Sequence, residues 1–144
     1  MYKKILIPLE NSSTDKAILD HIQSFSGKTK AHLVLVHVAD GWAARNFKVL
    51  NLNESDEIKS DKSYLEAQAE GLKARGFEVS FVLAMGEPAD EIAAVAKAQN
   101  ADLIAMATHG HRFFADLFFG STADRLRHLV DIPVLMIRGG KPRA

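Results

Sequence analysis

Cysteine is absent from the chain, which removes disulfides, thiolate nucleophiles and cysteine-ligated zinc at once. An excess of either charge is missing too. Eighteen Lys and Arg stand against eighteen Asp and Glu, so the basic footprint on which nucleic-acid affinity rests is not there. The same neutrality lowers the electrostatic cost of self-association. No apolar run is long enough to span a bilayer. The first one, Ile5-Leu6-Ile7, stops at Pro8 and Glu10, too short for the core of a signal peptide. A cytoplasmic protein without membrane insertion is expected. Three signature motifs are lacking as well: Gly-x-x-x-x-Gly-Lys-Ser/Thr, Gly-x-Gly-x-x-Gly and Gly-x-Ser-x-Gly. Walker-type phosphate loops, dinucleotide fingerprints and serine-nucleophile elbows are thereby without support.

What is present is a chain of 144 residues with 47% hydrophobic side chains, enough to bury the core of one domain spanning 1–144. Apolar β-rich runs alternate with stretches of helical period. Ile5-Leu6-Ile7 reads as a buried strand. A helix follows, with Ser12 or Ser13 as N-cap, Ile18, His21, Ile22 and Phe25 on one face, and Gly27 at its end. Residues 32–38 are almost unbroken in hydrophobicity, as in a strand covered on both faces. Residues 40–53 lack a period and read as a loop. Ile58, Leu65, Ala69 and Leu72 recur at helical spacing, closed by Gly76. A third strand over 78–84 precedes Gly86-Glu87-Pro88, which opens another helix. Residues 102–106 form the fourth strand, 122–130 the last helix, and Pro133-Val134-Leu135-Met136-Ile137 the fifth strand. This β-α-β-α-β-α-β-α-β order predicts an α/β fold: a doubly wound, Rossmann-like, five-stranded parallel sheet with helices on both faces.

Such sheets bind ligands beyond the carboxyl ends of their strands, where strand order reverses. The loops there are 8–13, 38–41, the turn after Ala84, and 107–121. The last is the most informative: Ala107-Thr108-His109-Gly110 follows a strand, and Gly120-Ser121 stands after nine further residues, directly before the last predicted helix. Glycine permits close backbone approach, and unpaired amides at a helix start face an anion.

Over essentially its whole length the chain resembles the universal stress proteins of the A type. The resemblance rests on Tyr2-Lys3-Lys4-Ile5-Leu6-Ile7-Pro8, on the second strand ending His37-Val38, and on Gly86-Glu87-Pro88. It continues through Ala101-Asp102-Leu103-Ile104, Thr108-His109-Gly110, Gly120-Ser121 and Ile132-Pro133-Val134-Leu135. It implies strand order 3-2-1-4-5 and a site for ATP or AMP, with or without Mg²⁺. The adenine would lie beside Val38 and near Met106, with the Pro8-Leu9-Glu10 turn by the nucleoside. The phosphates would rest on Ala107, His109, Gly110, His111, Arg112, Gly120, Ser121 and Thr122. Two positions depart from the family pattern: Ala107 replaces a glycine and Glu10 an aspartate. The resemblance also implies a homodimer joined through the last strand, which lies at a sheet edge open to pairing.

Further residues invite separate readings. His109 and His111, with His37 near, suggest a metal, but His-x-His alone supplies too few ligands. Arg112 suits a phosphate through its planar fork, or points to solvent. Phe113, Phe114, Phe118 and Phe119 form either a short helical turn packed on the sheet edge or a patch for a protein partner. Trp42 and Phe47 belong to that surface or to a lid. Asp15 and Asp124 read as solvated helix acids, and the segment from Arg138 onward as a loose tail. A nucleotide-responsive regulatory module in stress response, with at most slow ATP hydrolysis, is the leading expectation. The alternative is an interaction protein with a degenerate nucleotide site, binding its partner through the Phe-rich stretch.

Overall fold

Five strands and four helices alternate along the chain: β1 (Lys4–Pro8), α1 (Asp15–Ser26), β2 (His32–Ala39), α2 (Asn51–Ala74), β3 (Glu78–Met85), α3 (Pro88–Ala98), β4 (Leu103–His109), α4 (Phe114–Leu129) and β5 (Val134–Gly139). The structure, a computed structural model, describes residues 2–27, 30–39, 51–109 and 114–139; for 26, 51–57, 109 and 114–121 it describes the backbone. All strand pairs are parallel, and the order is β3-β2-β1-β4-β5, as the family resemblance implies.

Period-two alternation on the central strand builds two cores. Ile5 and Ile7 face one side of the sheet with Leu33, Leu35, Ile18, Ile22, Leu65 and Leu72, the side covered by α1 and α2. Leu6 faces the other with Val34, Val36, Ile104, Met106, Ile92 and Leu126, covered by α3 and α4. Both faces of β1 are therefore dry, which explains why its sequence carries no polar alternation. Among the described residues no helix is long and apolar enough to cross a membrane.

Helix ends follow local chemistry. At the end of α2, the Gly76 amide donates to Lys73 and the Phe77 amide to Leu72, a Schellman closure, with Gly76 at φ 95° where a side chain would be strained. α3 starts as the sequence predicts, with Pro88 in its first turn and the Glu87 side chain accepting from the Asp90 amide.

Five boundaries differ from the sequence reading. α1 begins at Asp15 with Thr14 as its N-cap residue and no side-chain cap, because the Ser12 hydroxyl is taken up by Glu10 and Thr14. His21 is exposed, stacked on Phe25, while Leu19 takes a buried place. α2 starts at Asn51, so the expected loop over 40–53 ends sooner; its remainder, with Trp42 and Phe47, lies outside the described residues. β4 continues to His109, because Ala107, Thr108 and His109 pair with Ile137, Arg138 and Gly139 of a longer β5. Arg138 and Gly139 thus belong to the sheet rather than to a tail, while 140–144 lie outside the described residues. α4 starts at Phe114, eight residues before the expected Thr122. No proline interrupts residues 114–129, and a single interior glycine costs only about 1 kcal/mol against alanine, too little to stop a helix packed on a sheet.

Candidate functional site

Strand order reverses between β1 and β4, the place where an open parallel sheet leaves a crevice. Pairing between these two strands runs only through Ile5↔Leu103 and Leu6↔Ile104, whereas β4 goes on pairing with β5 to His109. Beside this point a small cleft is lined by Pro8, Leu9, Glu10, Val36, His37, Val38, Pro88 and Ile92. The turn after β1 forms its floor, the end of β2 one wall, and the start of α3 the other. Proline, leucine, valine and isoleucine give it flat apolar faces, with Glu10 and His37 as polar groups at the rim.

The backbone amides of the turn are held by a buried carboxylate. Asp15 is 2% exposed, not a solvated helix acid as expected from sequence. Its Oδ1 accepts the Glu10 amide at 2.9 Å, and its Oδ2 accepts the amides of Asn11 at 2.9 Å and Ser12 at 3.3 Å. The Tyr64 hydroxyl, from α2, gives the carboxylate its fourth hydrogen bond, at Oδ2 and 2.6 Å long. Burial, that hydrogen bond and the adjacent charge of Asp15 all hold the Tyr64 phenol above its usual pKa, so it remains a donor at neutral and moderately alkaline pH. Asp124, by contrast, is exposed and pairs with Arg127, as the sequence suggests.

The structure brings Pro8, Leu9, Glu10 and Val38 together. Glu10 Oε2 accepts the hydroxyls of Thr14 at 2.8 Å and Ser12 at 3.2 Å. Met106 is buried in the α3/α4-side core and is not among the residues that line this cleft. Ala107 is a buried strand residue outside the positive-φ positions, so its methyl carries no backbone strain. Gly120, Ser121 and Thr122 stand inside α4 rather than at its start, and Thr122 is buried. Gly110, His111, Arg112 and Phe113 lie outside the described residues, as do the side chains of His109, Phe114, Phe118 and Phe119. His37, named with those histidines as a metal candidate, is engaged elsewhere. Its Nδ1 donates to the Leu9 carbonyl at 2.8 Å, and its Nε2 lies 3.2 Å from Asp61 Oδ2.

Sequence reasoning missed Asp15, Tyr64, Pro88 and Ile92. From sequence Pro88 reads as a helix start and Ile92 as an inward-facing position of that helix; the wall they form depends on how α3 packs on β2 and β3. Thr14 is a further participant: Gly139, at the end of β5, approaches it so closely that an added Cβ would lie 2.9 Å from Thr14 Cβ.

The model of the universal stress protein family matches residues 1–138. The chain belongs to the universal stress protein family. Universal stress protein MJ0577 of Methanocaldococcus jannaschii is 28% identical over 155 residues, covering 96% of each chain. A solved structure of MJ0577 superposes with a TM-score of 0.85 at 27% identity, covering 99% of both chains. Two structures more distant in sequence share the fold and hold nucleotides. A universal stress protein of Archaeoglobus fulgidus in complex with dAMP has a TM-score of 0.70 at 19% identity, covering 95% of this chain and 98% of its own. A universal stress protein in complex with cAMP has a TM-score of 0.69 at 17% identity, covering 96% and 98%.

Proposed function

We propose that this universal stress protein binds an adenine nucleotide, ATP or AMP, at the cleft beyond β1 and β2, and works as a nucleotide-responsive regulatory module in a cytoplasmic stress response. The observation that carries the reading is the cleft's position: an apolar slot with polar rim groups at the carboxyl ends of β1 and β2, beside the point where strand order reverses. The nucleotide complexes of the two fold neighbours support the same ligand class. Pro8, Leu9, Val36, Val38 and Ile92 offer the base two apolar faces, and Glu10 stands at the turn as the acceptor for a ribose hydroxyl. By the family resemblance the phosphates would rest on Gly110, Arg112 and Gly120-Ser121, and the Ser121 hydroxyl would help to hold Mg²⁺ through them where it accompanies the nucleotide. Hydrolysis is at most slow, and nucleotide occupancy acts by shifting the population of the segment 107–121 that a partner reads.

Gly120→Val tests the phosphate end. Valine fits a helix interior, so α4 and the fold persist. Calorimetry is expected to show ATP affinity reduced at least tenfold, about 1.4 kcal/mol or more. Unchanged affinity would remove Gly120 from the site.

The second part of the proposal is a homodimer through β5. Among the described residues this strand pairs only with β4, and Met136 on it is 49% exposed. An apolar edge of this kind favours a second copy. Met136→Lys is expected to convert the dimer to monomer in sedimentation at micromolar concentration. A monomeric wild type, or a variant that remains dimeric, contradicts this interface.

A further inference from the structure

Three side chains outside the cleft tie down the turn that forms its floor. Asp61 and Tyr64 stand three residues apart on α2, a spacing that puts them on one face of the helix. Asp61 Oδ1 accepts the Asn11 side-chain amide at 3.1 Å, while its Oδ2 faces His37 Nε2, and the other ring nitrogen of His37 holds the Leu9 carbonyl. Tyr64 holds Asp15, and Asp15 holds the amides of 10, 11 and 12. Two of these polar side chains are largely withdrawn from water, His37 at 13% exposure and Asp61 at 17%, a placement that is favourable only because each is bonded. Asn11, bonded to Asp61 through its side chain, stands at φ 64°, in the left-handed region. Such a conformation persists where surrounding contacts over-determine it. Asp61 grips the Asn11 side chain, and Asp15 its backbone amide.

We propose that Asp61 and Tyr64 are positioning residues: they hold the 9–14 turn in its ligand-ready shape and so set the affinity of the cleft without touching the nucleotide. The inference rests on the nucleotide reading above. Its physical content is pre-organisation: a turn ordered before binding spares the ligand that entropic cost. α2 thereby becomes part of the site although none of its described side chains lines the cleft.

The test compares Tyr64→Phe, Asp61→Ala and Asp61→Asn with the wild-type chain. Phenylalanine keeps the ring packing and deletes only the hydroxyl, and asparagine keeps an acceptor for Asn11. Hydrogen exchange of the Glu10, Asn11 and Ser12 amides is expected to quicken about tenfold in Tyr64→Phe and Asp61→Ala, the size of one hydrogen bond to a charged group. Amides of β1 and β2 should keep their protection. Calorimetric affinity for ATP and AMP should fall by a similar factor, with most of it restored in Asp61→Asn. Unchanged exchange at 10–12 in both disrupting variants overturns the proposal, as does an affinity loss that appears only with loss of protection throughout the sheet. If the wild-type chain binds neither nucleotide, the nucleotide reading falls, and the exchange of the three amides alone decides whether α2 sets the turn.

Discussion

Replacing Asp15 with alanine is expected to cost about 3 kcal/mol of stability and to lower the melting midpoint by roughly 10 °C. Four donors lose their acceptor in that variant: the amides of Glu10, Asn11 and Ser12 and the hydroxyl of Tyr64. A hydrogen bond to a charged group is worth about 1.5–3 kcal/mol. The four do not add in full, because water reaches the half-buried turn once the carboxylate is gone. Asp15→Asn separates charge from shape. Its NH₂ must face either the Glu10 amide or the group of donors on Oδ2, setting donor against donor, so it recovers less than half of the loss. Equilibrium denaturation measures both variants. A loss below about 0.5 kcal/mol in Asp15→Ala would return Asp15 to the solvated helix position that its sequence context suggests.

Leu6→Ala is expected to cost about 3 kcal/mol, within the range for emptying a well-packed aliphatic site. Leu6 lies on the central strand, fully buried, between Val34 on β2 and Ile104 on β4. Strands on both sides and helices over its face leave the surroundings little room to collapse into the vacated volume. Met136 belongs to an equally apolar run, yet Met136→Ala in the isolated subunit should cost under about 0.5 kcal/mol, since that side chain is half exposed at the sheet edge. Urea unfolding of both variants checks the contrast. Equal costs would mean that β5 is packed as tightly as β1 and that its edge is not open.

The order of elements was legible because the two periodicities differ so plainly along this chain, three consecutive aliphatics at Ile5-Leu6-Ile7 against the spaced Leu65, Ala69 and Leu72; the strand order came with the family resemblance. The ends of elements were not legible. Gly110 made Ala107-Thr108-His109 look like the beginning of a turn, but pairing with Arg138 and Gly139 draws them into β4, a contact across some thirty residues of chain. Gly120-Ser121 has the chemistry of a helix start, yet the helix begins eight residues before Thr122, since one interior glycine costs only about 1 kcal/mol and does not stop it. In the cleft, Pro8, Leu9, Glu10 and Val38 were legible from their place at the carboxyl edge of the sheet. Asp15 was not, because three of its donors are backbone amides and the fourth, Tyr64, lies 49 residues away. Nothing in the local sequence distinguishes such an acid from one in water.

The most direct test of the account is calorimetric titration of the purified chain, stripped of bound nucleotide, with ATP and with AMP, each with and without Mg²⁺. The account predicts saturable binding of one nucleotide per subunit at micromolar concentration, with the difference between ATP and AMP measuring what the outer phosphates add. Absence of heat at millimolar nucleotide would contradict it. In that case Glu10, turned onto Ser12 and Thr14, marks a closed site, and the Phe-rich stretch becomes the surface through which this family member meets a protein partner.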